Sequence, residues 1–386
     1  MRRITAVFLI LSIILCGCGT KKKAAVPSEL RGAWVASVGN LDFPSEQGLS
    51  VRKLKSETIK LLDAAHDMGL NAVFLQVRPC GDAIYPSKLY PWSKYLTGKQ
   101  GTPPPDDFDP LKFWVDEAKK RGIALHAWIN PLRVRTAGMT DGLDAENVAI
   151  KHPEWTVKYT DGNIYLNPGI SEVRDYIVRG VREIAENYDV AGIHFDDYFY
   201  PGEDFEDSAQ YEGSKLTRGD WRRENINEII IGARDAAHDA GILFGVSPFA
   251  IWRNKDSSPQ GSDTRGLETY SAHYADTRRW VKEGWLDYIA PQIYWNIGYE
   301  IADYEKILTW WCDIIRDSDV RLFIGHAGYR SLEAKPGEVW YGADEIARQL
   351  EMNKKYPEVS GSIHFRLGAY IESAELTAAL KNEYIG

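Results

Sequence analysis

Cysteine is scarce in this chain: Cys16, Cys18, Cys80 and Cys312 are the only four among 386 residues. Two of them fall within the first twenty positions, which leaves only Cys80 and Cys312 in the body of the protein. One distant pair builds no disulfide framework, no Cys-x-x-Cys metal pair occurs, and a core of this size needs no staple. No apolar run reaches the roughly 18 to 20 residues that span a bilayer. No glycine-rich dinucleotide fingerprint follows the first apolar strand pattern, and no His-Glu-x-x-His zinc motif is present. Positive charge is also short, with 46 Lys and Arg against 55 Asp and Glu, a net charge of −9. Such a surface repels phosphate backbones, which excludes nucleic acid as a partner. What is left, 44% hydrophobic and 26% charged, is the composition of a soluble globular enzyme. Aromatic residues are the surplus: 13 Trp, 21 Tyr and 12 Phe.

The N-terminus reads as an address. Arg2 and Arg3 precede a twelve-residue apolar run, Ile4 to Leu15, too short to span a membrane and of the length of a signal h-region. The run ends in Leu15-Cys16-Gly17-Cys18, a bacterial lipobox pattern with Leu three residues before, and a small residue just before, the Cys to be lipidated. We expect residues 1–17 to be a lipoprotein signal peptide, Cys18 the lipidation site, and 18–28 a polar tether containing Lys21-Lys22-Lys23. The folded domain is then 29–386, exported and held by lipid on the extracytoplasmic face of a bacterial membrane. Loss of Arg2 and Arg3 with the signal lowers the net charge from −9 to −11. That balance favours a neutral glycan over an anionic polymer.

After residue 30, short apolar runs alternate with amphipathic stretches. The strand patterns are 32–38, 72–78, 123–130, 191–198, 243–250, 288–295, 322–329 and 362–367. Helical patterns at 54–68, 111–121, 171–187, 220–240, 270–283, 303–316, 343–353 and 372–383 follow them in turn. Several begin at Ser or Asp and stop at Gly69, Gly122 or Gly284. Eight strand–helix units predict an α/β fold, a (β/α)8 TIM barrel with elaborated βα loops, in preference to an open doubly wound sheet.

In such barrels the chemistry lies where the strands end. Here those ends carry Gln76/Arg78, His126/Trp128/Asn130, His194/Asp196, Ser247, Gln292/Tyr294, His326 and His364/Arg366, mostly two apart and therefore on one side of each strand. Polar groups would be costly there unless bonded or solvated, so converging pairs predict a cleft. Within Gly192-Ile193-His194-Phe195-Asp196-Asp197-Tyr198-Phe199-Tyr200, alternation aims Asp196 into that cleft and leaves Asp197 at the strand tip, facing away or into the next loop. A carboxylate at that place serves as glycosidic nucleophile, charge stabiliser or metal ligand. Asp196 and Asp197 are therefore the expected catalytic pair. Asp82, Asp263 and Glu268, on loops, are the remaining acid candidates. His126, His194, His326 and His364 could ring a metal, but no motif supports one; neither metal nor cofactor is expected. Sugars stack their C–H faces on aromatic rings and bond their hydroxyls to amides and guanidinium groups. That chemistry nominates Trp92, Trp128, Trp252, Trp295, Tyr198, Tyr200 and Tyr294. Their polar companions are Arg78, His126, Asn130, Arg133, Asn167, His194, Arg253, Asp263, Arg265, Gln292, His364 and Arg366. Trp114, Trp221, Trp280, Trp310 and Trp311 lie in helical patterns and are expected to pack.

Several segments together resemble one family: Leu30-Arg31-Gly32-Ala33-Trp34-Val35, Phe74-Leu75-Gln76-Val77-Arg78-Pro79, His126-Ala127-Trp128-Ile129-Asn130-Pro131, the strand-four segment above, Gly245-Val246-Ser247-Pro248, Gly261-Ser262-Asp263-Thr264-Arg265-Gly266 and Ile289-Ala290-Pro291-Gln292-Ile293-Tyr294-Trp295. Over about residues 29–370 the chain resembles the glycosyl hydrolase-like 10 family. The resemblance implies a barrel glycosidase, a bacterial lipoprotein acting on peptidoglycan glycan strands stripped of their peptides. Strand four is also similar to amylase-type barrels, whose Gly-x-Arg-x-Asp nucleophile maps onto Asp196 with His194 in place of the Arg. It is equally similar to chitinase-type barrels, where Tyr198 would replace the acid. Retaining, inverting and substrate-assisted hydrolysis all remain open at this point. So do a non-catalytic glycan-binding protein and a metal-dependent deacetylase or amidohydrolase.

Overall fold

A computed structural model of the protein describes residues 26–139 and 142–386. The expected signal peptide, Cys18 and most of the tether lie outside the described residues. Eight parallel strands close into a barrel in which each strand pairs with the next in sequence and the last with the first. They are β1 (Leu30–Val35), β2 (Ala72–Arg78), β3 (Ala124–Ile129), β4 (Gly192–Phe195), β5 (Leu243–Val246), β6 (Tyr288–Ile289), β7 (Arg321–Ala327) and β8 (Val359–Phe365). The main helices between and after them are α1 (Val51–Asp67), α2 (Pro110–Lys120), α3 (Ser171–Asn187), α4 (Arg218–Asp239), α5 (Thr277–Lys282), α6 (Tyr304–Ile315), α7 (Asp344–Asn353) and α8 (Ala374–Tyr384). This is the predicted (β/α)8 barrel.

Local chemistry sets the helix ends. The side chains of Ser50, Asp109, Thr217 and Asp303 accept from the first-turn amides of α1, α2, α4 and α6. Gly69 and Gly122, at φ 76° and 68°, supply the left-handed residue that ends α1 and α2. The single helix expected over 270–283 is broken at Tyr274, which has φ 53°, and restarts where Asp276 caps Arg279. β6 stops short of the expected 288–295 because Pro291 offers no ladder donor. A small antiparallel sheet, Arg133–Arg135, Thr156–Lys158 and Ile164–Leu166, occupies the long loop after β3.

The barrel is filled with rings instead of the usual Val, Ile and Leu. Trp34, Phe74, Trp128, Tyr288 and Phe323 share one inner cluster, with Leu30, Leu243 and Ile363 below them. Glycine makes the room for them: a Cβ on Gly245 would stand 2.2 Å from the Tyr288 ring, and one on Gly32 2.8 Å from Phe74. His126 stacks on Phe74 at 4.6 Å, and His194 lies 5.9 Å from Tyr288 and nearly parallel to it. A second, larger apolar cluster fills the space between barrel and helices, where Trp114, Trp280 and Trp311 are fully buried as expected. Cys80 and Cys312 are both free and buried.

Candidate active site

A cavity of about 340 Å³ opens at the C-terminal end of the barrel. Its floor is Trp34, Ala36, Gln76 and Ser247, and one wall is Trp128, Asn130 and Arg133 from β3 and beyond. Asp196, Asp197 and Tyr198 come from the tip of β4, with Phe249, Gln292 and Tyr294 beside them. Val38, Leu41, Tyr329 and Phe365 close the opposite side. Open hollows of about 760 Å³ also exist, one at the other end of the barrel against Gly122, Asp189 and Gly241, but the strand ends do not feed it.

Regular pairing of β4 stops at Phe195, opposite Ile129 and Val246. Beyond that point strand alternation no longer applies, and Asp197 turns into the cavity beside Asp196. The expectation that it faces away or into the next loop is corrected.

A directed chain of amides fixes the state of Asp196. Gln76 Oε1 accepts from the backbone N–H groups of Ser37 and Val38, both at 2.9 Å. Its orientation is thereby set, so its Nε2 donates to Asn130 Oδ1. Asn130 Nδ2 must then donate to Asp196 Oδ2, which also accepts from Trp128 Nε1 at 3.1 Å. Oδ1 accepts from the Tyr198 N–H at 3.2 Å. A carboxyl met only by donors is held as the anion. The Arg133 guanidinium adds a favourable charge; its Nε donates to Pro79 O at 3.0 Å and the group lies 4.9 Å over the Tyr198 ring.

Burial opposes ionisation and raises Asp196 to about 6. Asp197 is pushed well above the usual carboxylate range, first by burial and next by the negative charge of Asp196. Its opposing contacts, a hydrogen bond from its own backbone N–H, the charge of Arg133 and a hydrogen bond with Gln292, are weaker. Two buried carboxyls side by side hold one charge and one proton. Near neutral pH the anion is Asp196 and the acid is Asp197.

Below the floor the rings form a second directed chain. Trp34 Nε1 donates to His194 Nε2 at 3.1 Å, which places the His194 proton on Nδ1, facing Tyr288 Oη at 3.1 Å. The Tyr288 hydroxyl then donates to His126 Nδ1, also at 3.1 Å. Burial drives both histidines down, His126 to about 3, so both are neutral. They support the floor and do not line the cavity.

Of the residues nominated from sequence, Asp196, Asp197, Trp128, Asn130, Arg133, Tyr198, Gln292 and Tyr294 come together at the cavity. The others stand elsewhere, for identifiable reasons. A bulge in β2 pairs Gln76 with Trp128 but Arg78 with Ile129, so Arg78 turns outward and lies 4.1 Å over the Tyr90 ring. On β8 the inward residues are Ile363 and Phe365; His364 faces the helices, bonded to the Tyr370 and Tyr384 hydroxyls. His326 stacks on His364 at 5.3 Å, so the four histidines do not converge on one point. Arg366 ties Asp42 at 2.7 Å and Glu372 at 3.2 Å, joining the loops after β1 and β8. Tyr200 is buried against Phe205 and Tyr274.

The segment 253–268 folds back on α6 instead of over the cleft. Asp263 pairs with Lys306 at 2.6 Å and Arg265 with Glu300 at 3.0 Å. Arg253 donates to Ser257 O, and Trp252 is buried, stacked on Trp310. Glu268 braces the same loop through Asn254 and Ser271. Asp82 is buried against Gln100, Asn167 bonds Gln210, and Trp92 and Trp295 pack on the outer core. Sequence reasoning missed Trp34, Phe249, Tyr329 and Phe365 as lining residues. Parity could have found Trp34, two residues after Gly32 on β1.

A barrel whose strand tips gather a buried carboxyl pair among aromatic rings and amide donors defines a glycoside-hydrolase-like site. The chain belongs to the glycosyl hydrolase-like 10 family, whose pattern matches residues 29–341. It is 45% identical over 353 residues to glycosyl hydrolase YngK of Bacillus subtilis (strain 168), spanning 88% of this chain and 68% of that protein. It is 38% identical over 405 residues to glycosyl hydrolase DigH of Escherichia coli (strain K12), spanning 94% and 92% respectively. Among solved structures, the glycoside hydrolase domain of PgaB (BpsB) from Bordetella bronchiseptica shares the fold, with a TM-score of 0.60 at 13% identity over 93% of this chain and 99% of that one.

The raised Asp197 has a consequence for stability. Its protonated form is preferred in the folded state, so the folded protein loses stability as pH rises above the unfolded carboxyl value of about 3.9. Asp197→Asn removes that loss. Thermal denaturation is expected to show the variant melting several degrees above the parent at pH 8, with the gap narrowing toward pH 4. A gap that widens toward acid would mean that the ionised form is the one the fold prefers.

Proposed function

We propose that the protein is an exported, lipid-anchored glycoside hydrolase that cuts a cell-wall glycan, with peptide-stripped peptidoglycan strands as its substrate. The observation that carries the hydrolase reading is a pair of neighbouring buried carboxyls in one aromatic cavity, Asp196 met by Trp128, Asn130 and the Tyr198 N–H as donors and Asp197 beside it. Asp197 donates its proton to the departing glycosidic oxygen. Asp196 supplies negative charge as the anomeric carbon becomes cationic. The rings of Trp128 and Tyr294 offer faces to the sugar, while Gln292 and Arg133 offer donors to its oxygens. The family and its relatives support the reaction class; the peptidoglycan strand comes from the resemblance. A glycan-binding protein without activity needs no acid, and the raised carboxyl of Asp197 beside Asp196 favours hydrolysis over it.

The test is incubation of the chain with peptide-free peptidoglycan strands, with and without chelator, followed by mass spectrometry. Shorter glycans are expected in both cases, and Asp197→Asn is expected to slow cutting by about 10² to 10⁴-fold, the usual worth of a general acid. Intact strands that co-sediment with the protein would make it a binding protein. Acetate release abolished by chelator would make it a deacetylase.

Anchoring is tested separately. Cys18→Ser in the full chain is expected to move the protein from the membrane fraction to the soluble exported fraction. A variant that stays with membranes would rule out a lipid on Cys18.

A further inference from the structure

The hydrolase reading leaves open what attacks the anomeric carbon, and the wall opposite β4 bears on it. Hydrolysis with two enzyme carboxyls places them on either side of the scissile bond, about 5–5.5 Å apart for a nucleophile and acid, or about 6.5–9.5 Å when a water stands between. Here the two are consecutive residues, with Cα atoms about 3.8 Å apart, at the tip of one strand. Among the described residues that line the cavity no other is acidic. The side facing β4, made by Val38, Leu41, Tyr329 and Phe365, has no carboxylate among its lining residues; Asp42, next to Leu41, is buried and tied to Arg366 at 2.7 Å. Asp196 is also bound in a way that suits an anchor more than an attacking group. Its Oδ2 is occupied by Trp128 and Asn130, and its Oδ1 has one backbone donor and room for one more.

We propose that the substrate carries its own nucleophile: the site acts on 2-acetamido-2-deoxy-hexosides, with Asp196 as the acceptor that orients the acetamido N–H and Asp197 as the acid and then the base. This rests on the hydrolase reading and adds to it the group that attacks the anomeric carbon. In the first step the acetamido oxygen forms a bond to C1 while the C1–O glycosidic bond breaks. The bonding pair leaves with the departing oxygen, which takes the Asp197 proton. The resulting oxazolinium ion carries its positive charge next to the Asp196 carboxylate. In the second step water adds to C1 from the vacated side and gives its proton to Asp197. The C1–O bond of the ring opens, the acetamide is restored and the anomeric configuration is retained. No other reactant is consumed. The apolar floor of Trp34 and Ala36 beside Trp128 offers a fitting recess for the acetyl methyl group.

The test uses the full chain in detergent, peptide-free peptidoglycan strands, the same strands after chemical N-deacetylation, and N-acetylglucosamine thiazoline as a mimic of the cyclic ion. The expected results are a first-formed product of retained anomeric configuration by proton NMR, competitive inhibition by the thiazoline, and cutting of the deacetylated strands about 100-fold more slowly or worse. Cutting with inversion, or equal cutting of deacetylated strands, overturns the proposal and leaves the hydrolase reading standing. So does cutting that millimolar thiazoline does not slow. If no strand of either kind is cut, the hydrolase reading falls and this proposal falls with it.

Discussion

The backbone N–H groups of Ser37 and Val38 begin a line of hydrogen bonds that has only one possible direction. Both donate to Gln76, which must then donate to Asn130, which must donate to Asp196. A backbone amide cannot accept, so no amide in the line can flip without leaving a buried donor facing a donor. The negative charge of Asp196 is thus written into the loop after β1, three strands away. Once that charge is fixed in a buried site, the neighbouring Asp197 cannot also ionise cheaply, and an acid at neutral pH results from placement alone.

The interior of the barrel serves the same end. A Val, Ile and Leu filling would leave no partner for groups beneath the cavity floor. Here Trp34, His194, Tyr288 and His126 form a neutral chain of their own, Trp34 donating to His194, His194 to Tyr288 and Tyr288 to His126. The rings fit because Gly32, Gly192, Gly245 and Gly325 stand against them without side chains. The floor is therefore packed and uncharged, which leaves Asp196 and Arg133 as the charged groups lining the cavity and Asp197 as its neutral acid. The outer pair, His326 and His364, does comparable work between barrel and helices and takes no part in the site.

The barrel was legible in the sequence because its signals are local: periodicity, Ser and Asp caps, and Gly stops at positions such as 69 and 122. The cavity was legible on β3, β4 and β6, where Trp128 lies on its strand and Asn130, Asp196 and Gln292 follow within three residues of the last paired position. It failed where one residue changes the phase. The β2 bulge turns Arg78 outward, β8 presents Ile363 and Phe365 inward in place of His364 and Arg366, and the end of β4 at Phe195 releases Asp197 into the cavity. Loop chemistry was less readable still. The polar run from Arg253 to Glu268 looks like a substrate loop, yet it is held on α6 by the Asp263–Lys306 pair and by Trp310, contacts of long sequence separation that no local pattern announces.

The chemistry of the site stands on one proton shared unequally between two carboxyls. It is tested most directly by carbon-13 NMR of the protein labelled at the aspartate carboxyl carbons, with Asp196→Asn and Asp197→Asn spectra assigning the two signals. At pH 7 the Asp197 carbon is expected at the position of a protonated carboxyl and the Asp196 carbon at that of a carboxylate, with the Asp197 signal moving toward the normal range in the Asp196→Asn variant. Two carboxylate signals at pH 7, or the proton on Asp196, would contradict it.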